Sequence, residues 1–301
     1  MSHLLLQRGS LGPAIAGRTR HARACGAMRP IETTEEIVTD AGVDFLVRRL
    51  STLERKEQAR KRKEQAAGPV NPFLPHEPDL FVADVSDTHF ALLNKFNVIE
   101  RHLLIVTRAF VDQETLLDVG DFEALAACMA EVDGLAFYNG GAVAGASQPH
   151  KHLQLASLPL AKTGSPVPVE RLLRALGGKT GILRVPGLAF GHAFAWMDYL
   201  SFEDVKVAAR QMHACYRELL AAAGLRAVQT GDEARQSGPY NLLATPRWML
   251  LVPRRKEHFD SIAVNALGFA GSLFVRDEAQ IQVVKRAGPM AVLQGTAIAL
   301  A

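Results

Sequence analysis

The sequence predicts an α/β protein, with strands and helices alternating along most of its 301 residues. Three observations predict it. Short apolar runs bounded by turn residues, at 90–93, 102–107, 135–138, 241–245 and 248–252, have the length of buried strands. Stretches 112–133 and 202–223 carry apolar residues at helical spacing. Finally, Ser147-Gln148-Pro149-His150-Lys151-His152-Leu153-Gln154 sets His150, His152 and Gln154 at alternate positions. On a strand, these share one face, and Lys151 and Leu153 share the other.

The elements follow in order. Residues 1–30 carry Arg8, Arg18, Arg20, Arg23 and Arg29 and no acid, a composition shared with organellar transit peptides. Ile15, Thr19, Ala22 and Cys25 nevertheless fall at helical spacing before Gly26, and a docked helix is the favoured reading. Residues 41–66 are expected to form one helix. Phe45, Leu46, Leu50 and Leu53 would be its apolar stripe, and the charge run 55–63 its solvated face. Gly68-Pro69 would end it, and Asn71-Pro72-Phe73-Leu74-Pro75 would lead stiffly into the core. Helix 112–133 would turn Leu116, Leu117, Phe122, Leu125, Cys128 and Met129 inward. Residues 101–108 resemble 247–254, which suggests two related halves with the histidine segment kept only in the first.

Composition excludes several classes. A net charge of +3 does not suggest a general nucleic-acid binder, and no apolar run is long enough to span a membrane. Cys25, Cys128 and Cys215 are far apart and in no metal-ligand spacing. They read as reduced thiols, so a cytoplasmic protein is expected.

The chemistry centres on 138–154. Gly140, Gly141 and Gly145 allow a backbone to approach an anion closely, and Ser147 and Gln154 can donate hydrogen bonds to phosphate oxygens. An unprotonated imidazole with a fixed tautomer can attack phosphorus and split one displacement into two. His150 and His152 could instead bind a metal, although Gln154 is a poor ligand and no strong third one is near. They could also be merely structural. His102, His192, His213 and His258 stand outside this pattern and are expected in core or surface roles.

Segment 145–154 resembles the signature of the ATP adenylyltransferases, or diadenosine tetraphosphate phosphorylases, of the histidine-triad superfamily. The resemblance extends through 25–31, 71–75, 93–96, 137–141, 240–243 and 265–271, nearly the whole chain. It implies a histidine-triad-like fold of two related halves, with mainly antiparallel sheet and flanking helices. The expected division is a helical segment over 1–70, a catalytic half over 71–165 and a second half over 166–301. The resemblance makes His152 the nucleophile and His150 its orienting partner. Gln154, where hydrolases of this kind carry a third histidine, points to transfer of AMP to phosphate rather than water. Implied nucleotide contacts are Asn94, Lys95, Asn139, Gly145, Ala146, Ser147, Gln148, Gln154, Asn265, Ala266 and Leu267, with Ser272, Arg276 and Lys56 at less closely matching positions. Lys151 stands where galactose-1-phosphate uridylyltransferases carry proline, which argues against sugar-nucleotide transfer. The expected partners are diadenosine polyphosphate, ATP, ADP and phosphate. Mg²⁺ arriving with the nucleotide is the only cofactor considered. A non-catalytic nucleotide sensor and a dinucleoside polyphosphate hydrolase are the alternatives.

Overall fold

The computed structural model describes residues 2–51, 71–162, 164–197 and 200–300. Helix α1, Leu11–Ala24, buries Leu11, Ile15 and Ala22 and ends at Cys25 and the left-handed Gly26, as the spacing predicts. The next element corrects the sequence reading. Residues 41–50 are not helical. Strands β1 (Thr33–Asp40) and β2 (Val43–Leu50) form a hairpin across Ala41-Gly42. Both turn residues have positive φ (47° and 79°), the geometry of a tight two-residue hairpin turn. Val43, Phe45 and Val47 bury alternate positions of β2, and Leu46 is covered from the other face. Leu53, Lys56 and the rest of the charge run lie outside the described residues.

The first half builds a sheet from β3 (Phe81–Asp84), β4 (His89–Leu93), β5 (Leu103–Thr107), β6 (Gly134–Gly140) and β7 (His152–Ser157). Helix α2 (Val119–Met129) crosses between β5 and β6. It begins later than the apolar pattern suggests, because Asp118 and Asp121 form a reciprocal capping box there. Residues 111–118 instead form a loop with a turn at 113–114, in which Asp112 bridges to His150 and Thr115 to Arg235.

After the short helix α3 (Glu170–Leu173), the second half contributes β8 (Ile182–Leu183), β9 (Ala193–Trp196), helix α4 (Val205–Ala222), the hairpin β10 (Ala227–Thr230)–β11 (Glu233–Gln236), β12 (Tyr240–Ala244) and β13 (Trp248–Pro253). The nine-stranded sheet has the order β3-β4-β5-β7-β6-β12-β13-β9-β8, with every pair antiparallel. From the β6–β12 junction outward, the two halves mirror each other. β7 corresponds to β13, β5 to β9, and α2 to α4. This revises the repeat read from the sequence, which matched β5 with β13. The topological counterpart of the histidine strand is 248–253, whose side chains are apolar.

A core lies on each face of this sheet. Helices α1, α2 and α4 cover one face. The other is covered by β2, by residues 160–162 and 164–190, and by the chain beyond β13: β14 (His258–Phe259), β15 (Ile262–Ala263), α5 (Ala266–Ala270), β16 (Ser272–Val275), α6 (Glu278–Ala287) and α7 (Pro289–Gln294). Strand β16 pairs in parallel with β2, so the first hairpin joins the last strand. Among the described residues, no helix is long and apolar enough to cross a membrane.

The two faces of the histidine strand separate as alternation predicts. Lys151 turns into the helical core, where its Nζ donates to Asp121 Oδ2 at 2.6 Å and to the Leu116 carbonyl at 3.0 Å. Asp121 Oδ1 also contacts His89 Nε2 at 3.0 Å. Burial alone would raise the Asp121 pKa, but the charges and hydrogen bonds of Lys151 and His89 bring it down to about 2. This buried group ties the histidine strand to the start of α2. Removing one member strands a charge in an apolar interior. Asp121→Ala is therefore expected to lower the unfolding free energy by about 3–5 kcal/mol, measured by denaturant titration. Lys151→Met with Asp121→Leu should recover much of that loss.

Candidate active site

Strands β6 and β7 pair from Gly134 and Ser157 to Phe137 and Gln154, and then separate. Gln113, 2 % exposed, fills the gap. Its Nε2 donates to the carbonyls of Asn139 (2.8 Å) and His152 (3.3 Å), and its Oε1 accepts the His152 N–H (2.9 Å). One side chain thus supplies the hydrogen bonds a neighbouring strand would have made. Beyond the wedge, His152 and Gln154 face a cleft of about 780 Å³.

The geometry sets the state of His152. Its Nδ1 lies 2.8 Å from the His150 carbonyl oxygen, which can only accept, so Nδ1 carries the hydrogen and Nε2 is left with a free lone pair. Burial lowers its pKa to about 4, which keeps the ring neutral near neutral pH. Phe73 packs against it at 5.3 Å between centroids. His150 does not line the cleft, and it orients His152 through its backbone carbonyl. Its own ring donates from Nε2 to the Thr107 carbonyl (2.8 Å) and receives the Asn71 amide at Nδ1 (3.0 Å).

The cleft gathers most of the residues named from the sequence. Asn94, Lys95, Asn139, Gly145, Ser147, Gln148 and Gln154 line it from the first half, and Asn265, Leu267 and Arg276 from the second half. Lys95 Nζ meets Glu77 Oε2 at 2.5 Å, and Arg276 donates to the Ser261 carbonyl at 3.2 Å. Three residues differ from expectation. Ser272 is fully buried and accepts a hydrogen bond from Arg48 in the small sheet, away from the cleft. Ala266 contributes its backbone N–H to Asn139 Oδ1 (2.9 Å) rather than lining the cleft. Ala146 closes a turn through its N–H to the Gly141 carbonyl and also stays outside the lining. Lys56 lies outside the described residues.

Other participants are not among the site residues named from the sequence. Asn139 Oδ1 also accepts from Asn241 Nδ2 at 2.8 Å. Asn241 Oδ1 is held in turn by Arg254 at 2.5 Å. Arg254 is 1 % exposed and lies 5.2 Å from the Phe269 ring centroid, and burial lowers its pKa to about 10. His102, expected in a core or surface role, instead lines the cleft and contacts Gln154. His258 lines it too, whereas His192 is buried between the Val185 N–H and the Phe190 carbonyl. Among the described residues, His21, Cys25 and Asp79 are the group whose ligand atoms could meet at a metal, and they lie outside the cleft lining.

The fold and the cleft agree with the comparison to known families. Residues 1–175 match the family model of the Ap4A phosphorylase N-terminal domain, and 186–299 that of the ATP adenylyltransferase C-terminal domain. The chain belongs to the Ap4A phosphorylase family. Among its relatives in this family, diadenosine 5',5'''-P1,P4-tetraphosphate phosphorylase 2 of Saccharomyces cerevisiae is 27 % identical over 294 residues, covering 88 % of this chain and 83 % of that protein. Protein APA1 of the same yeast is 25 % identical over 272 residues, covering 82 % of this chain and 80 % of its own length. The fold is that of yeast Ap4A phosphorylase Apa2. Its crystal structure superposes with a TM-score of 0.78 at 22 % identity, covering 98 % of this chain and 96 % of that one. Apa2 has also been solved with AMP and with Ap4A.

Gly145 gives a direct test of how an Ap4A phosphorylase family member brings its two halves together here. Its φ is +91°, and an added Cβ would lie 2.8 Å from Asn265 Cβ and 3.1 Å from the Val264 carbonyl. Gly145→Ala is both strained and blocked. The unfolding free energy, followed by denaturant titration, should fall by about 1–3 kcal/mol.

Proposed function

We propose that this protein is a nucleotidyltransferase that phosphorolyses diadenosine tetraphosphate to ATP and ADP, and runs the reverse, through AMP bound covalently to His152. The observation that carries the reading is the tautomer of His152, with Nδ1–H held by a carbonyl and Nε2 bare in the cleft. Family membership and the named activities of the yeast relatives support the same reading.

The steps balance with the groups present. The Nε2 lone pair attacks an α-phosphorus, and the bond from that phosphorus to the bridging oxygen breaks, with ATP as leaving group. The ring gains positive charge, which the Nδ1–H bond to the His150 carbonyl disperses. An oxygen of inorganic phosphate then attacks the same phosphorus on the opposite side. The P–N bond breaks, ADP departs, and His152 returns neutral. Ser147, Lys95 and the backbone around Gly145 supply donors and charge for the phosphate oxygens, where stabilisation contributes most. Mg²⁺ would enter on the polyphosphate, to which it adds charge neutralisation, keeping water and phosphate oxygens as ligands. A soluble cytoplasmic location is part of the same proposal.

Incubation with Ap4A and phosphate should give ATP and ADP in equal amounts. AMP formed equally well without phosphate would show a hydrolase, and tight binding without turnover a sensor. His152→Ala should lose covalent labelling by AMP and reduce phosphorolysis by about 10³-fold or more. The pH dependence has a definite sign. A histidine whose pKa falls from 6.5 to about 4 is unprotonated above that value. Single-turnover AMP labelling should therefore hold as pH falls through 6 and be lost as it falls through about 4. A midpoint at the ordinary imidazole value would contradict the burial of His152.

A further inference from the structure

Hydrogen-bond polarity can be traced into the cleft from a backbone N–H, whose role is never ambiguous. The Phe96 N–H donates to Asn94 Oδ1 at 3.1 Å. This fixes the Asn94 amide, so its Nδ2 faces His102 Nδ1 at 3.1 Å as a donor. His102 Nδ1 must then accept, and the ring hydrogen sits on Nε2. Nε2 lies 2.9 Å from Gln154 Oε1 and donates to it. The Gln154 –NH₂ is thereby turned outward. Gln154 lines the cleft, and among the described residues its –NH₂ has no protein acceptor.

The same device occurs twice. In Asn71-Pro72-Phe73, the Phe73 N–H donates to Asn71 Oδ1 (3.0 Å) and Asn71 Nδ2 donates to His150 Nδ1 (3.0 Å). Two Asn-x-Phe clips thus set two imidazoles, one behind the nucleophile and one behind the glutamine. An amide oxygen and nitrogen have nearly the same shape, so the orientation of a glutamine is decided by its network. Reversed, Gln154 would present an oxygen to anionic phosphate and repel it.

We propose that Asn94 and His102 are positioning residues that lock the Gln154 amide with its –NH₂ toward the cleft, where it donates to the α-phosphoryl oxygens during AMP transfer. The proposal rests on the function above for its ligand. It reassigns Asn94 from direct nucleotide contact to control of a tautomer. It also gives the incoming acceptor a donor group, which suits an anionic phosphate oxygen better than a water that must lose a proton.

Two measurements test it. In the wild-type protein, imidazole nitrogen resonances after ¹⁵N-histidine labelling should show His102 protonated at Nε2 and bare at Nδ1. The opposite tautomer overturns the proposal, whether or not the enzyme turns over Ap4A. A double-mutant cycle on AMP labelling then reads the coupling. His102→Ala and Gln154→Ala should each slow labelling by about 10²-fold, and the double variant should be no slower than Gln154→Ala alone. Independent, multiplying losses would mean that His102 does not act through Gln154. Should His102→Ala fail to fold, Asn94→Ala carries the same cycle with a smaller single effect. If wild-type protein shows no labelling by AMP at all, the proposed function fails, while the tautomer result still decides the orientation of Gln154.

Discussion

The hydrogen bond from His152 Nδ1 to the His150 carbonyl is the constraint around which the site is built. It decides which ring nitrogen carries the hydrogen. It forms where β7 leaves β6, and the separation would strand backbone groups in a dry interior were Gln113 not wedged between them. On the reverse face, Lys151 fixes the same segment to Asp121. His152 is therefore held from three directions, and none of the residues that hold it lines the cleft.

Much of this was legible in the sequence because it is local. The alternation of His150, His152 and Gln154 against Lys151 and Leu153 follows from strand geometry alone, and the structure keeps it. The distant partners were not legible. Gln113, Asn241 and Arg254 are ordinary polar residues until folding brings them to Asn139 and His152. His102 lies outside the motif in sequence, yet β5 pairs with β7 and brings it beside Gln154. The error at 41–50 has a different origin. Phe45, Leu46 and Leu50 fit a helix stripe, but Ala41-Gly42 turns the chain back, and Val43, Phe45 and Val47 fit a strand just as well. The internal repeat was misaligned because apolar strands resemble one another more than they resemble their true counterparts.

Polar interactions link the two halves at the site. Asn139 sits on β6 at the junction with β12 and accepts from Asn241 and from the N–H of Ala266 at the start of α5. Arg254 completes the join from β13, donating to Asn241 and to the Ala144 carbonyl in the loop that ends at Gly145. A guanidinium so nearly dry is costly to bury unless every donor is used, and five oxygen acceptors surround this one. The loop expected to approach phosphate is therefore shaped from the other half of the chain.

The mirrored strand order carries a consequence for stoichiometry. A sheet that repeats outward from a central antiparallel pair has the form of a dimer whose subunits have been fused end to end. Such a molecule assembles at any dilution, since its partners share one chain. Its copies are also free to differ. Strand β13 occupies the place of the histidine strand and carries Trp248, Leu250 and Val252 into the core instead. Among the described residues, one half keeps the histidine strand, and the other supplies the polar groups that shape the loop beside it.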